Sequence, residues 1–340
     1  MKLLIFTQVV DKGHPVLGFF HRWLEEFAKN CDEVIVVCLQ AGKRSLPANV
    51  KVYSLGKDEG KGRLTYIYRF YKYIWKYRHS YDSVFIHMNQ IYVILGGLFW
   101  RWQNKKIGLW YMHGQVSVSL KIAERLTNII FTGSPESFRL PSRKIMVTGH
   151  GIDTNKFFPQ KNIKRDIDLI TVGRITPSKN LEFLISVLKE VCKRKKVTLT
   201  IVGKALTVKE KIYEEKIKSI IKQEKLEDNV YFYGQIDNDD LPAILNRSKV
   251  FVHAATNGSL DKALLEPLAV KTPVVTMALG ASSLPLGNWK VNSLEDFSQK
   301  VIEILSEVDD NYLNKIRKYV VENHSIISLI PKICHSYERK

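Results

Sequence analysis

Short apolar runs and amphipathic helical stretches alternate along this chain, and the alternation starts twice. In the first half, strand-like runs fall at 2–7, 33–39, 50–55, 83–88, 106–113, 128–133 and 144–149. Helical periodicity lies between them, at Gly18–Ala28, Leu64–Tyr77, Ile91–Trp102 and Val118–Arg125. A polar stretch, Phe158–Asp166, interrupts the pattern and reads as a linker. It then resumes with strands at Asp168–Val172, Val197–Val202, Val230–Tyr233, Val250–Ala254 and Pro273–Met277, and helices near 181–194, 207–225, 239–247, 261–271 and 295–307. Strands that alternate with helices pair in parallel, because each helical crossover returns the chain to the same edge of the sheet. The expected class is therefore α/β, with two Rossmann-like domains at 1–160 and 161–325, a size that suits 340 residues. Open parallel sheets bind ligands at the carboxyl ends of their strands. Two such domains are expected to face a central cleft, where function is sought. Two more helical stretches follow, at about 311–323 and 326–338. On the last, Ile327, Leu329, Ile330 and Ile333 need a partner surface, and the helix is expected to return to the N-terminal domain.

Other features narrow the setting. Met1-Lys2 runs directly into Leu3–Thr7, which reads as a first strand rather than a leader. No apolar run approaches the ~20 residues that span a bilayer. The cysteines Cys31, Cys38, Cys192 and Cys334 form no C-x-x-C pair and fit reduced, buried thiols, so a cytoplasmic setting is expected. The formal charge of +18 is uneven: residues 1–160 hold 23 Lys and Arg against 11 Asp and Glu. A basic N-terminal half points to an anionic partner, whether a membrane surface, a phosphorylated acceptor or nucleic acid.

Two segments carry candidate chemistry. In Thr171–Asn180, Gly173 lets a strand end turn sharply, and Arg174 and Lys179 stand beside a helix N-terminus, as a diphosphate site requires. A solvated basic loop is the plainer reading. In His253–Val275, Asn257-Gly258-Ser259 offers backbone N–H groups, Asp261 caps a helix, and Glu266 can accept two hydroxyls, as from a ribose. Helix-dipole compensation by an acidic turn is the plainer reading there. Asp237-Asn238-Asp239-Asp240 looks like a D-x-D metal motif, but it precedes a helix and is expected to cap it.

Taken together, the G-R-x-x-x-x-K loop, Leu199–Gly203, Val230–Gln235 and the run Leu264-Leu265-Glu266-Pro267-Leu268-Ala269-Val270-Lys271-Thr272-Pro273 resemble glycosyltransferase family 4 in order and spacing. Gly149-His150-Gly151-Ile152-Asp153 resembles that family's N-G-V-D turn, with His150 in place of Asn. The resemblance implies the GT-B fold and metal-independent transfer, with retention, from a nucleotide diphosphate sugar to a glycan or lipid-linked acceptor. No cofactor other than the donor substrate is implied. Arg174 and Lys179 would hold the diphosphate, Glu266 the ribose, and Gly234-Gln235 would border the base. Backbone N–H groups near Leu264-Leu265 would add to the phosphate site, and His113 would touch the donor sugar. The family's E-x7-E pair is incomplete: Gly258 stands eight residues before Glu266, and Ser259, Asp261 and Lys262 lie between. Asp261 is the candidate substitute. An epimerase or an inactive GT-B scaffold is the alternative that incomplete pair leaves open. A nucleic-acid-binding protein is the rival that the charge suggests, although no nucleic-acid motif is found and no such partner is expected.

The loop Val9–Phe20 follows the first strand, and Gly18 is expected to allow close approach of acceptor or donor phosphate. The stretch Lys61–Arg78 interleaves cations and aromatics. Leu64, Ile67, Tyr71 and Ile74 would face the core, leaving Arg69, Lys72 and Lys76 for an anionic membrane surface or for solvent.

Overall fold

A computed structural model of the chain describes residues 1–14, 16–256 and 258–338. The chain forms two compact units. The first comprises Met1–Asp153 and the C-terminal segment from Asn323 onward, and the second is Thr154–Glu322.

The first unit is built on β1 (Lys2–Val10), α1 (Phe19–Asn30), β2 (Glu33–Ala41), β3 (Val50–Ser54), α2 (Arg63–Lys76), β4 (Ser83–His87), α3 (Ile91–Trp102), β5 (Lys106–Trp110), α4 (Val118–Leu126), β6 (Ile129–Thr132) and β7 (Ile145–Val147). Its sheet has the order β3-β2-β1-β4-β5-β6-β7, and every pair is parallel. The second unit holds β8 (Ile167–Val172), α5 (Leu181–Cys192), β9 (Leu199–Val202), α6 (Val208–Gln223), β10 (Val230–Gly234), α7 (Leu241–Asn246), β11 (Ser248–His253), α8 (Lys262–Ala269), β12 (Val274–Thr276) and α9 (Leu294–Ser306). Its parallel sheet has the order β10-β9-β8-β11-β12. Helix α10 (Asp310–His324) then leads into α11 (Ile326–Glu338). In both sheets the first strand is central: the chain winds outward on one side, then crosses to the other. That reversal opens a crevice at the carboxyl edge, between β1 and β4 in one sheet and between β8 and β11 in the other.

The central strands are buried on both faces, which is why β1 and β2 read as near-continuous apolar runs. One face of the first sheet packs Phe20, Trp23, Phe27, Phe85 and Phe131 with Ile326, Leu329, Ile330 and Ile333 of α11. The C-terminal helix is thus part of the N-terminal unit. Tyr337 completes the contact: its hydroxyl donates to the Val84 carbonyl at 2.9 Å. Gly108 leaves room for it, since a Cβ there would lie 2.1 Å from that hydroxyl. The Gly149–Asp153 turn receives the returning chain, with Gly151 and Ile152 N–H groups donating to the His324 carbonyl at 3.0 and 2.7 Å. The other face packs Phe6, Phe70, Ile74, Tyr92 and Trp100 beneath α2, α3 and α4.

Four sequence expectations differ from the structure. On α11, Ile327 is 44% exposed and Ile326 takes its place in the core, so the buried stripe lies one residue away at that end. The chain enters the second unit at 153/154 rather than at 160/161. The supposed linker is already tied down there: Gln160 N–H donates to Asn246 Oδ1 at 2.8 Å, and Asn246 Nδ2 donates to the Phe158 carbonyl at 3.1 Å. On α2, Phe70 and Ile74 face inward, while Leu64 is 85% exposed and Ile67 and Tyr71 are both exposed. The helix carries apolar groups on every side, so periodicity alone does not select the buried stripe. Arg69 does not join a cationic face. It makes a bidentate pair with Glu59 at 2.6 and 2.7 Å and anchors the preceding loop.

Candidate active site

In the second unit the two sequence motifs meet at the carboxyl edge, because β8 and β11 are neighbours there. Strands β8, β9 and β10 all end on glycines that interlock. Gly173 N–H donates to the Val202 carbonyl at 2.9 Å, and Gly203 N–H to the Gly234 carbonyl at 2.8 Å. Gly173 and Gly203 have φ of +152° and +143°. A Cβ on Gly203 would lie 1.8 Å from the Gly173 carbonyl oxygen, so no side chain fits there. Gly234 turns with φ +80° and delivers exposed Gln235 to the same edge.

Lys179 ends a short 3-10 turn, Pro177–Lys179, just before α5. Its ammonium pairs directly with the Asp261 carboxylate, 82 positions on in sequence. Asp261 also caps α8, its Oδ1 accepting from Ala263 N–H at 3.1 Å. Behind it stands His253, buried at the end of β11, with Nε2 3.6 Å from Asp261 Oδ2 and Nδ1 3.1 Å from Thr276 Oγ1. Burial alone pushes the Asp261 carboxyl up, but Lys179 and His253 outweigh it and hold it well below its ordinary value. For His253, burial outweighs the pull of Asp261 and keeps the imidazole neutral. The result is a line Lys179–Asp261–His253–Thr276 that fixes where the lysine points.

Arg174 is held more loosely. Its guanidinium is 56% exposed and sits 3.5 Å from Glu210, the carboxylate of a capping box at the start of α6. Hydrogen bonds from the Leu206 and Thr207 N–H groups hold that carboxyl below its ordinary value. Glu266 is buried on α8, one turn beyond Lys262, whose ammonium is 3.3 Å away. Burial raises its carboxyl, Lys262 opposes the shift, and Asp261 adds to it. Leu264 and Leu265 bury their side chains, and Leu264 N–H donates to the Asp261 carbonyl at 3.0 Å. Gly258 and Ser259 form the bend between β11 and α8, and Asn257 lies outside the described residues.

The acidic run before α7 does not cap it through a side chain. Asp240 holds the N-cap position without a capping bond, and Asp239 instead pairs with Lys156 at 2.8 Å. In the first unit, β5 stops at Trp110, so His113 lies on the following loop, exposed. Its Nδ1 accepts from Gln115 N–H at 3.0 Å, which leaves Nε2 as the outward nitrogen. Gly18 has an ordinary helical φ of −58°. A Cβ there would lie 2.7 Å from the Lys12 and His14 carbonyls, so its glycine is required by the loop's own fold. Pro15 of that loop lies outside the described residues. His253 and Thr276 were missed from sequence. A histidine at a strand end carries no local sign that a carboxylate eight residues on will fold back beneath it.

This pair of β-strand-to-helix loops, with cations converging at interlocked glycines, lies within residues 153–322. That segment matches the sequence profile of the group 1 glycosyl transferases. The chain belongs to this family. Among curated relatives, mannosylfructose-phosphate synthase of Agrobacterium fabrum is 27% identical over 158 residues, covering 43% of this chain and 35% of that protein. The chain thus spans little more than a third of the length of that relative. Among solved structures, Anabaena HepE in complex with UDP has a TM-score of 0.78 at 16% identity, covering 99% of this chain and 100% of that one. HepE in complex with UDP-glucose gives 0.72 at 17%, covering 99% and 98%. These likenesses establish the GT-B fold for this family member.

The Lys179–Asp261 pair has a pH signature. The Asp261 carboxyl is lowered on folding, so its stabilisation is fully present above the ordinary value of 3.8 and is lost as pH falls through the folded value. The stability difference between the protein and Asp261→Asn should therefore be positive at neutral pH and vanish in acid. Glu266 is raised in part by Asp261, so Asp261→Asn also relieves some of the penalty that Glu266 carries as pH rises above its ordinary value of 4.5, which lowers the difference at neutral pH without changing its loss in acid. Urea unfolding of the two across the acid range checks this; a pH-independent difference contradicts it.

Proposed function

We propose that the protein is a retaining, family 4 type glycosyltransferase that moves a sugar from a nucleotide diphosphate sugar to a glycan or lipid-linked acceptor, at the cytoplasmic face of a membrane. The observation that carries this reading is the fixed Lys179 beside the more exposed Arg174, above the interlocked glycines of β8 and β9. Cleavage of the bond between the anomeric carbon and the diphosphate oxygen leaves charge on the diphosphate. Two cations already placed at that edge stabilise this charge more than the ground state, which is what accelerates the step. The same cations supply the neutralisation that a divalent ion supplies elsewhere, so we propose transfer independent of metal. Glu266, with its carboxyl buried and braced by Lys262, suits a ribose diol. The family resemblance assigns His113 to the donor sugar, and its Nε2, not engaged by Gln115, would serve for that contact. Asp261 is committed to Lys179, so in place of the absent glutamate at Gly258 it acts by positioning that lysine. The UDP and UDP-glucose found with HepE support a uridine donor as the first to try. The epimerase and nucleic-acid readings gain no observation from the family match.

Thermal unfolding in a panel of nucleotides and nucleotide sugars tests the donor. A nucleotide at about 100 times its Kd should stabilise the protein by about 2.7 kcal/mol. The anomeric configuration of the product, read by NMR, tests retention. Absence of protection by every nucleoside diphosphate, together with no transfer, would sink the proposal.

A further inference from the structure

The outer face of the helix layer α2–α3–α4 shows side chains that the fold of the first unit does not use. On α2, Leu64, Tyr68, Tyr71 and Trp75 follow each other at helical spacing and form one exposed stripe. On α3, Leu98 and Trp102 are each 73% exposed, and on α4 Val118 is 74% exposed. The three helices lie side by side on one sheet face, so these groups belong to one surface. The Tyr71 hydroxyl donates to the Leu95 carbonyl at 3.1 Å, the Trp75 and Phe99 rings are 5.9 Å apart, and Arg101 donates to the Arg125 carbonyl at 3.3 Å. A groove of about 680 Å³ runs between α2 and α3, lined by Tyr68, Tyr71, Lys72, Trp75, Lys76 and Phe99.

The charge on this layer has one sign. Helices α2 and α3 contain no Asp or Glu, and the one acidic residue of α4, Glu124, is engaged by Ser142 and Lys144. Lys72 stands 6.0 Å from the Tyr68 ring, and the Arg78 guanidinium lies 4.6 Å over Trp75. Lys76, Arg101 and Arg125 mark the last turns of the three helices. Cations flanking tryptophan and tyrosine, with aliphatic side chains between them, match the boundary of an anionic bilayer, where headgroup phosphates meet hydrocarbon. A nucleic-acid backbone would use the cations but gains nothing from Leu64, Leu98 or Val118. No helix among the described residues is long and apolar enough to cross a membrane, so such a contact is peripheral.

We propose that this face docks the protein on an anionic lipid surface, with Trp75, Trp102, Leu64 and Leu98 entering the headgroup boundary and Lys72, Lys76 and Arg78 pairing with lipid phosphates. Arg69 has no part in it, being clamped by Glu59. The inference goes beyond the donor chemistry and rests on the unit outside the family-matched segment.

Flotation of the full chain with vesicles of phosphatidylcholine, alone or with phosphatidylglycerol, tests it. Binding to the anionic vesicles is expected, with a blue shift of tryptophan emission and weakening in molar salt. Lys72→Glu/Lys76→Glu should lower partitioning at least ~30-fold, because each basic residue near the surface contributes about 1 kcal/mol. Trp75→Ser/Trp102→Ser should abolish the emission shift and most of the binding. The control Val208→Ser/Ile212→Ser removes exposed apolar groups of α6 and should change nothing. Protection by nucleotides, measured on the same variants, reports on the donor site alone and should stay at the unsubstituted level. No binding to either vesicle, or binding indifferent to both double variants, overturns the proposal. So does a dimer in solution that Trp75→Ser/Trp102→Ser dissociates, which would make the face an interface between copies.

Discussion

Arg174→Ala and Lys179→Ala are each expected to lower turnover on the order of 100- to 1,000-fold, about 2.7–4 kcal/mol of lost transition-state stabilisation. The two should differ in stability. Arg174 is more than half exposed and only 3.5 Å from Glu210, so its loss should leave the fold unchanged. Lys179 and Asp261 are each less than a fifth exposed, so Lys179→Ala leaves a nearly buried carboxylate with the Ala263 N–H and the His253 imidazole beside it but without its ammonium partner. Removing one partner of such a pair should cost about 3 kcal/mol. The double variant Lys179→Ala/Asp261→Asn removes the stranded charge and should recover most of that stability while staying as inactive as Lys179→Ala. Denaturant midpoints and initial rates on the four proteins separate the effects. Full activity in both single variants, or recovery of activity in the double variant, would remove the assigned role of the lysine.

Truncation before Ile326 should abolish cooperative unfolding of the first unit. Helix α11 supplies Ile326, Leu329, Ile330 and Ile333 to the layer that covers Trp23, Phe27, Phe85 and Phe131, and all of these are buried. Without it a sheet face of aromatic residues would meet water, at about 25 cal/mol for each Å² uncovered. A single substitution gives a graded version. Ile330→Ala removes a fully buried branched side chain and should cost about 2–5 kcal/mol, depending on how far its neighbours close the void. Circular dichroism melts read both. A truncated chain that melts like the whole protein would show the helix to be dispensable.

Much of this architecture is legible in the residues themselves. Near-continuous apolar runs identify the central strands β1, β2, β8 and β11, which are covered on both faces, and a 3.6-residue period identifies most helices, each of which buries one face. The return of α11 was legible because Leu329, Ile330 and Ile333, at helical spacing, must find a surface, although Ile326 rather than Ile327 joins them there. The glycine and cation motif at 173–179 could be read because strand, turn and helix start lie within ten residues. Three features were not legible. The buried stripe of α2 was misread because a helix with apolar groups all round leaves the choice to its neighbours, and β1 and α3 selected Phe70 and Ile74. Arg69 was misassigned because its partner, Glu59, comes from a loop whose path the sequence does not fix. The pairing of Lys179 with Asp261 and His253 was invisible because the residues lie on loops far apart in sequence, after β8 and around β11. Local sequence determined which segments became strands and helices and where the cations stood along the chain. Only the tertiary structure decided which carboxylate each cation meets, because adjacency of β8 and β11 arises from the crossover of the chain between them, a long-range event that no window of residues encodes.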